Sequence, residues 1–184
     1  MKKILQKEAP VLREISQSVP VESIKTPKIQ KILKEMSEAL ASQDDGVAIA
    51  APQIGYALRI FVVSKKVENL IKKRDESDET GNDMIFINPV LKKVSKERKT
   101  MEEGCLSVRY LYGKVSRSHK AIVQAFDKDG NKFERGGTGL LAQIFQHEMD
   151  HLDGILFIDK AKYVEEMPPP PKKTSQPKPK NAKK

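Results

Sequence analysis

The chain has 184 residues, 38% of them hydrophobic, which is enough for one domain with a core and short for two. Its formal charge of +9 has the sign of a nucleic-acid binder, yet residues 171–184 hold six lysines and no acid, leaving +3 on the other 170. That placement excludes a domain that is basic throughout, and the single cysteine, Cys105, excludes an intrachain disulfide and suits a reducing compartment.

The amino terminus starts basic but meets Gln6, Lys7 and Glu8 before any apolar run of signal-peptide length, and no run approaches membrane-spanning length. A cytoplasmic protein without a membrane segment is therefore expected. Thr26 and Pro27, followed by Ile29, Ile32, Leu33, Met36, Ala39 and Leu40, predict a capped helix facing the core and ending before Asp44-Asp45-Gly46. Leu58 to Val63, Ile85 to Leu91 and Lys120 to Asp127 are short, β-branched-rich runs that predict strands, the last closed by a turn at Asp127-Lys128-Asp129-Gly130. Between the first two, Lys65 to Asp83 is charged and nearly free of apolar residues, which predicts a mobile surface insertion without a catalytic role. Leu140, Leu141, Ile144, Phe145, Met149 and Leu152 recur at helical spacing and predict a second, buried helix over Leu140 to Asp153.

These elements make an α+β domain in which short antiparallel strands pack around a buried helix. Residues 1–166 are read as the catalytic domain. The stretch 167–184, with six of the eleven prolines and almost no apolar side chains, reads as a disordered, partly polyproline-like basic tail.

The second helix contains His147-Glu148-Met149-Asp150-His151. Residues four apart share a helical face, so both imidazoles can reach one metal ion, with Glu148 beside it and free of ligation. Two core histidines satisfied by neighbours would be the bland alternative. Hydrolytic metal centres usually take three protein ligands and leave one position for water. Cys105, within Glu103-Gly104-Cys105-Leu106-Ser107, is the natural third candidate, although cysteine is also a common small buried hydrophobe. The segment Gly46 to Gly55 crowds small residues around a single amide, Gln53, which could donate to an oxyanion or simply lie on the surface.

In this order, Gly46 to Gly55, Glu103 to Ser107 and Gln146 to His151 resemble the three signature segments of the peptide deformylases, the metallohydrolases that remove the formyl group from the initiator methionine. The resemblance extends to Ala9 to Arg13, Ile87-Asn88-Pro89 and Gly154 to Asp159, and so covers about residues 4 to 160. It implies Cys105, His147 and His151 as metal ligands and Glu148 as general acid–base. Gln53 and the backbone N–H of Leu106 would hold the oxyanion formed when water activated at the metal attacks the formyl carbon. It further implies that the formylmethionyl peptide adds as an extra strand beside Val47 and Ala48, meeting Gly104, with its methionine in a pocket lined by Val47, Met101, Leu140, Gln143 and Ile144. The implied cofactor is one divalent metal ion: Fe(II) in the cell, with Zn(II), Ni(II) or Co(II) in purified protein. Three residues depart from the family's usual choices: Ala48 stands for glycine, Gln143 for an apolar residue and Arg109 for a frequent proline.

Two other enzyme readings use the same residues. A His-Glu-x-x-His endopeptidase would take its third ligand downstream instead of from an upstream cysteine, and a cysteine hydrolase would need Cys105 free of metal. From a different class, the basic tail alone suits a ribosome- or RNA-binding module. In a deformylase it would be a ribosome contact carried by Lys172 to Lys184, or a solvated segment with no partner.

Overall fold

The computed structural model describes residues 1–72 and 81–167. Three helices, α1 (Pro27–Ala41), α2 (Lys66–Lys72) and α3 (Leu140–Leu152), are set among eight strands: β1 (Ala48–Ala50), β2 (Ile60–Val63), β3 (Met84–Val94), β4 (Arg98–Cys105), β5 (Val108–Ser118), β6 (Lys120–Phe126), β7 (Lys132–Thr138) and β8 (Val164–Glu166). They form two antiparallel sheets, a five-stranded one in the order β1-β2-β3-β6-β7 and a three-stranded one in the order β4-β5-β8. The expected α+β class, with a buried helix among short antiparallel strands, is what the chain forms.

The apolar runs of β1 and β2 are continuous because both faces of the sheet are covered. Ile49, Ile60, Val62 and Ile87 meet the buried face of α1, Ile29, Ile32, Leu33 and Met36. Their neighbours Ala48, Ala50, Phe61, Val63 and Phe86 point the other way, onto Leu141, Ile144 and Phe145 of α3. A small third cluster, including Leu12, Val108, Val115, Leu156 and Phe157, seats the three-stranded sheet against the short 3-10 helix at Pro10–Arg13.

Both long helices lie where their spacing predicts. Thr26 precedes α1, but its hydroxyl donates to the Ser23 carbonyl at 2.7 Å instead of capping the first turn. Part of the expected mobile insertion is ordered: Lys66 to Lys72 forms α2, whose Val67 is buried in the α3 cluster and whose Glu68 accepts from Arg135 of β7 at 3.0 Å. Residues 73–80 and 168–184, and with them most of the expected tail, lie outside the described residues.

The helix that carries the two paired histidines is seated by aromatic packing. Phe145 meets Phe86 edge-on at 5.3 Å and Phe61 at 6.3 Å, while Phe61 and Phe86 stack at 4.5 Å. Replacing Phe145 by Ala should lower the stability by about 3–5 kcal/mol, read as a reduced midpoint of urea unfolding at unchanged slope.

Candidate active site

A cavity of about 290 Å³ opens along the seam between the two sheets. Val47 and Ala48 form one wall, Glu102 to Leu106 of the β4–β5 hairpin the other, and Leu140, Gln143, Ile144, His147 and Glu148 of α3 the base. Of the residues expected around a methionine side chain, Val47, Leu140, Gln143 and Ile144 line it. Met101, two residues before Glu103 on β4, is not among the residues that line it.

Helical spacing sets His147 and His151 one turn apart, with ring centroids 5.0 Å from each other. Cys105, at the end of β4, brings its sulfur to 3.2 Å from His151 Nε2. One ligand atom from each of Cys105, His147 and His151 lies within 4.8 Å of the others, a donor set that can hold a single cation. Glu103 accepts a hydrogen bond from His147 Nδ1 at 2.9 Å, which commits that nitrogen as a donor and leaves Nε2, once deprotonated, as the one that can ligate. The residues present therefore fit a metal ion.

Burial works against charge on both imidazoles. At His147, contacts with Cys105 and Glu103 outweigh burial and hold its pKa well above the usual value. At His151 burial prevails, reinforced by the His147 charge, and the pKa falls well below it. Glu148 is buried and its Oε2 has no hydrogen-bond partner among the described residues, so desolvation pushes its pKa up to about 7. A buried, unpartnered carboxylate oxygen next to three ligand atoms is placed to take a proton from something bound there.

Gln53 is not the surface glutamine of the bland reading, since only 1% of it is exposed. Its Oε1 accepts from the Ala50 N–H at 2.8 Å, which turns Nε2 towards Ser107 Oγ at 3.0 Å and Cys105 Sγ at 3.6 Å. The peptide unit after Leu106 is held from both sides: Gln6 donates to the Leu106 carbonyl at 3.1 Å and the Ser107 N–H to the Cys105 sulfur at 3.4 Å. Gly104 is required by close approach, because a Cβ there would lie 2.8 Å from the Tyr112 ring.

Several supporting residues escaped sequence reasoning. Glu103 is fully enclosed and receives Arg117 through two nitrogens at 2.7 and 2.9 Å. Burial alone would raise its pKa, but Arg117 and His147 bring it down to about 2. Arg117 also donates to Asp150 at 2.6 Å, and Lys160 reaches the other oxygen of Asp150 at 2.6 Å. Gln146 ties α3 to both the N–H and the carbonyl of Ser118 at 2.9 Å. Glu103, Ser107, Gln146 and Asp150 stand inside the quoted motifs, which is the signal that could have found them. Arg117 has no such marker.

The polypeptide deformylase family model matches residues 1–167. A peptide deformylase 2 of Clostridium acetobutylicum is 38% identical over 160 residues, covering 86% of this chain and 94% of the relative. Among solved structures, a peptide deformylase from Legionella pneumophila superposes with a TM-score of 0.75 at 34% identity, covering 87% of this chain and 85% of that one. A class I type b peptide deformylase from Acinetobacter baumannii, solved with Met-Ala-Ser bound, gives a TM-score of 0.75 at 28% identity over 86% of this chain and 97% of the other. With nearly its whole described length matched, and a thiol and two imidazoles gathered beside a buried glutamate, the chain belongs to the peptide deformylase family, hydrolases that remove the formyl group from an N-terminal methionine.

Proposed function

We propose that formylmethionyl peptides are cleaved in the cavity between the sheets, with Cys105, His147 and His151 holding one divalent cation and Glu148 moving the proton. The observation that carries this reading is the convergence of those three donors within 4.8 Å beside the unpartnered Oε2 of Glu148. When bound, such a cation supplies a Lewis acid and a water of lowered pKa. Glu148 would accept a proton from water held beside it and give it to the leaving amine, its burial bringing its proton affinity close to what a two-way carrier needs. Gln53 Nε2 and the Leu106 N–H face the developing negative charge on the formyl oxygen, and the Gln53 side chain is oriented for this because its own oxygen is already held by Ala50.

The peptide backbone runs beside Val47 and Ala48 and meets Gly104, while Val47, Leu140, Gln143 and Ile144 surround the methionine side chain. Gln143 need not repel that side chain, because its amide nitrogen is engaged by the Glu102 carbonyl at 2.7 Å. The Met-Ala-Ser held by the Acinetobacter baumannii relative is the peptide that formyl-Met-Ala-Ser would leave here. A thiolate with two imidazoles suits Fe(II) as well as Zn(II); we take Fe(II) as the ion in the cell and Zn(II), Ni(II) or Co(II) as substitutes in purified protein.

The catalytic domain ends at Glu166 in this reading, and 167–184 is a basic appendage that brings the enzyme to the phosphate-rich ribosome surface, where formylated chains emerge in the cytoplasm. Among the described residues no helix is long and apolar enough to cross a membrane.

Protein loaded with Fe(II), Ni(II) or Co(II) should release formate from formyl-Met-Ala-Ser, and no turnover with any of the three would overturn the assignment. Glu148→Ala should keep its metal content and lose about 10²–10⁴ in kcat; turnover at the normal rate would remove Glu148 from its role. Ending the chain after Met167 should weaken co-sedimentation with ribosomes at low salt and leave peptide turnover intact, whereas equal co-sedimentation of both forms would leave the tail without this partner.

A further inference from the structure

The two walls of the cavity belong to different sheets, so the width of the cleft depends on whatever joins them. Deep inside, the junction is Gln53, whose amide reaches Ser107. At the rim there is a second junction. Arg109 of β5 donates through Nη1 to Asp45 Oδ2 and through Nη2 to Gln43 Oε1, both at 2.6 Å. Gln43 and Asp45 lie between α1 and β1, immediately before the Val47–Ala48 wall. Both Asp45 and Arg109 line the cavity, and their side chains are 57% and 27% exposed, which places the pair at its outer edge.

The root of Arg109 is held with unusual care. Cys105 pairs with Val108 but Gly104 pairs with Tyr112, so Arg109, Tyr110 and Leu111 bulge from β5 with no counterpart on β4. Tyr110 sits at φ 65°, a left-handed conformation that tyrosine rarely adopts. Both ends of the described chain fasten this bulge: Gln6 Oε1 accepts from the Arg109 N–H at 3.3 Å, and the Met167 N–H donates to the Tyr110 carbonyl at 2.8 Å. A guanidinium on such a fixed base gives up less freedom in gripping its partners.

We propose that Arg109, gripping Asp45 and Gln43, is a positioning residue for the peptide substrate: a clasp that holds the Gly46–Ala48 wall at a set distance from the Gly104 edge. This rests on the deformylase reading above. A substrate entering a clasped cleft does not have to order its wall, so the clasp acts on binding and leaves the reacting groups alone. A partly exposed pair contributes little to global stability, so the fold survives its loss.

The test uses the full-length Ni(II) enzyme and formyl-Met-Ala-Ser. Arg109→Gln and Asp45→Asn should each raise KM about three- to tenfold, with kcat staying within about twofold, as expected for lost preorganisation. The charge-swapped double variant, Asp45→Arg with Arg109→Asp, should bring KM back towards the parent value. Backbone amide exchange over residues 43–48 should speed up in both single variants and slow again in the double variant. The clasp is overturned if KM is unchanged in the single variants, if kcat falls in the same proportion as kcat/KM, or if the double variant is no better than the singles. Should the parent enzyme release no formate, the deformylase reading fails first, and unchanged amide exchange over 43–48 in both single variants would overturn the clasp on its own.

Discussion

The site depends on one buried carboxylate being neutralised from the correct side. Glu103 has almost no access to water, and its charge survives there because Arg117 grips both oxygens while His147 occupies the remaining direction. Breaking such a pair leaves a bare charge in the interior and costs about 3–5 kcal/mol, so β4, β5 and α3 are constrained to one arrangement. That arrangement also sets the chemistry. With Nδ1 of His147 committed to Glu103, Nε2 is the nitrogen that faces Cys105 and His151. Asp150, gripped by the third nitrogen of Arg117, carries the same constraint three residues further along α3 and out to Lys160 at the surface.

This explains how α3 can be buried and still be polar. Its apolar residues Leu141, Ile144 and Phe145 satisfy the sheet, while Gln143, Gln146, His147 and Asp150 each have a named partner on β4 or β5. Two groups of α3 lack such a partner among the described residues: Nδ1 of His151 and Oε2 of Glu148. Of the two acids in this helix, Asp150 is matched by Arg117 and Lys160, whereas Oε2 of Glu148 is enclosed without a partner. An unmatched buried acid is a cost that folding alone does not explain, and the proton-carrying role proposed for Glu148 would account for it.

What was legible in the amino-acid sequence follows the same division. α1, α3, β2, β3 and β6 announce themselves because each buries a regular set of side chains in the two main clusters. β4, Arg-Lys-Thr-Met-Glu-Glu-Gly-Cys, and β7, with two adjacent glycines, are mostly polar or exposed, and they exist as strands through pairing with β5 and β6, which a local pattern cannot express. α2 went unread because only Val67 among its apolar residues enters the core. The candidate ligands Cys105, His147 and His151 were legible because they are scarce residue types at helical spacing and in short motifs. Arg117 was invisible because it is one of many basic residues, and its meaning comes from partners 14 and 33 positions away.

The cleft itself is a place where packing has been withheld. Two sheets that share an apolar seam would ordinarily close it with large side chains, yet the walls here carry Ala48 and Gly104, and a side chain at 104 would strike Tyr112. An open seam between sheets has little to fix its width. Its floor is stitched by Gln53 to Ser107 and its rim by Arg109 to Asp45, so the gap is bounded by polar contacts at both depths. Directional bonds hold a fixed opening in a way that dispersion contacts, which favour closure, do not. The two ends of the described chain then serve the rim, Gln6 and Met167 both fastening the β5 bulge. The same physical demand, an empty space of fixed size beside three candidate ligand atoms, accounts for the small residues, the buried amide and the convergence of Gln6 and Met167 on one strand.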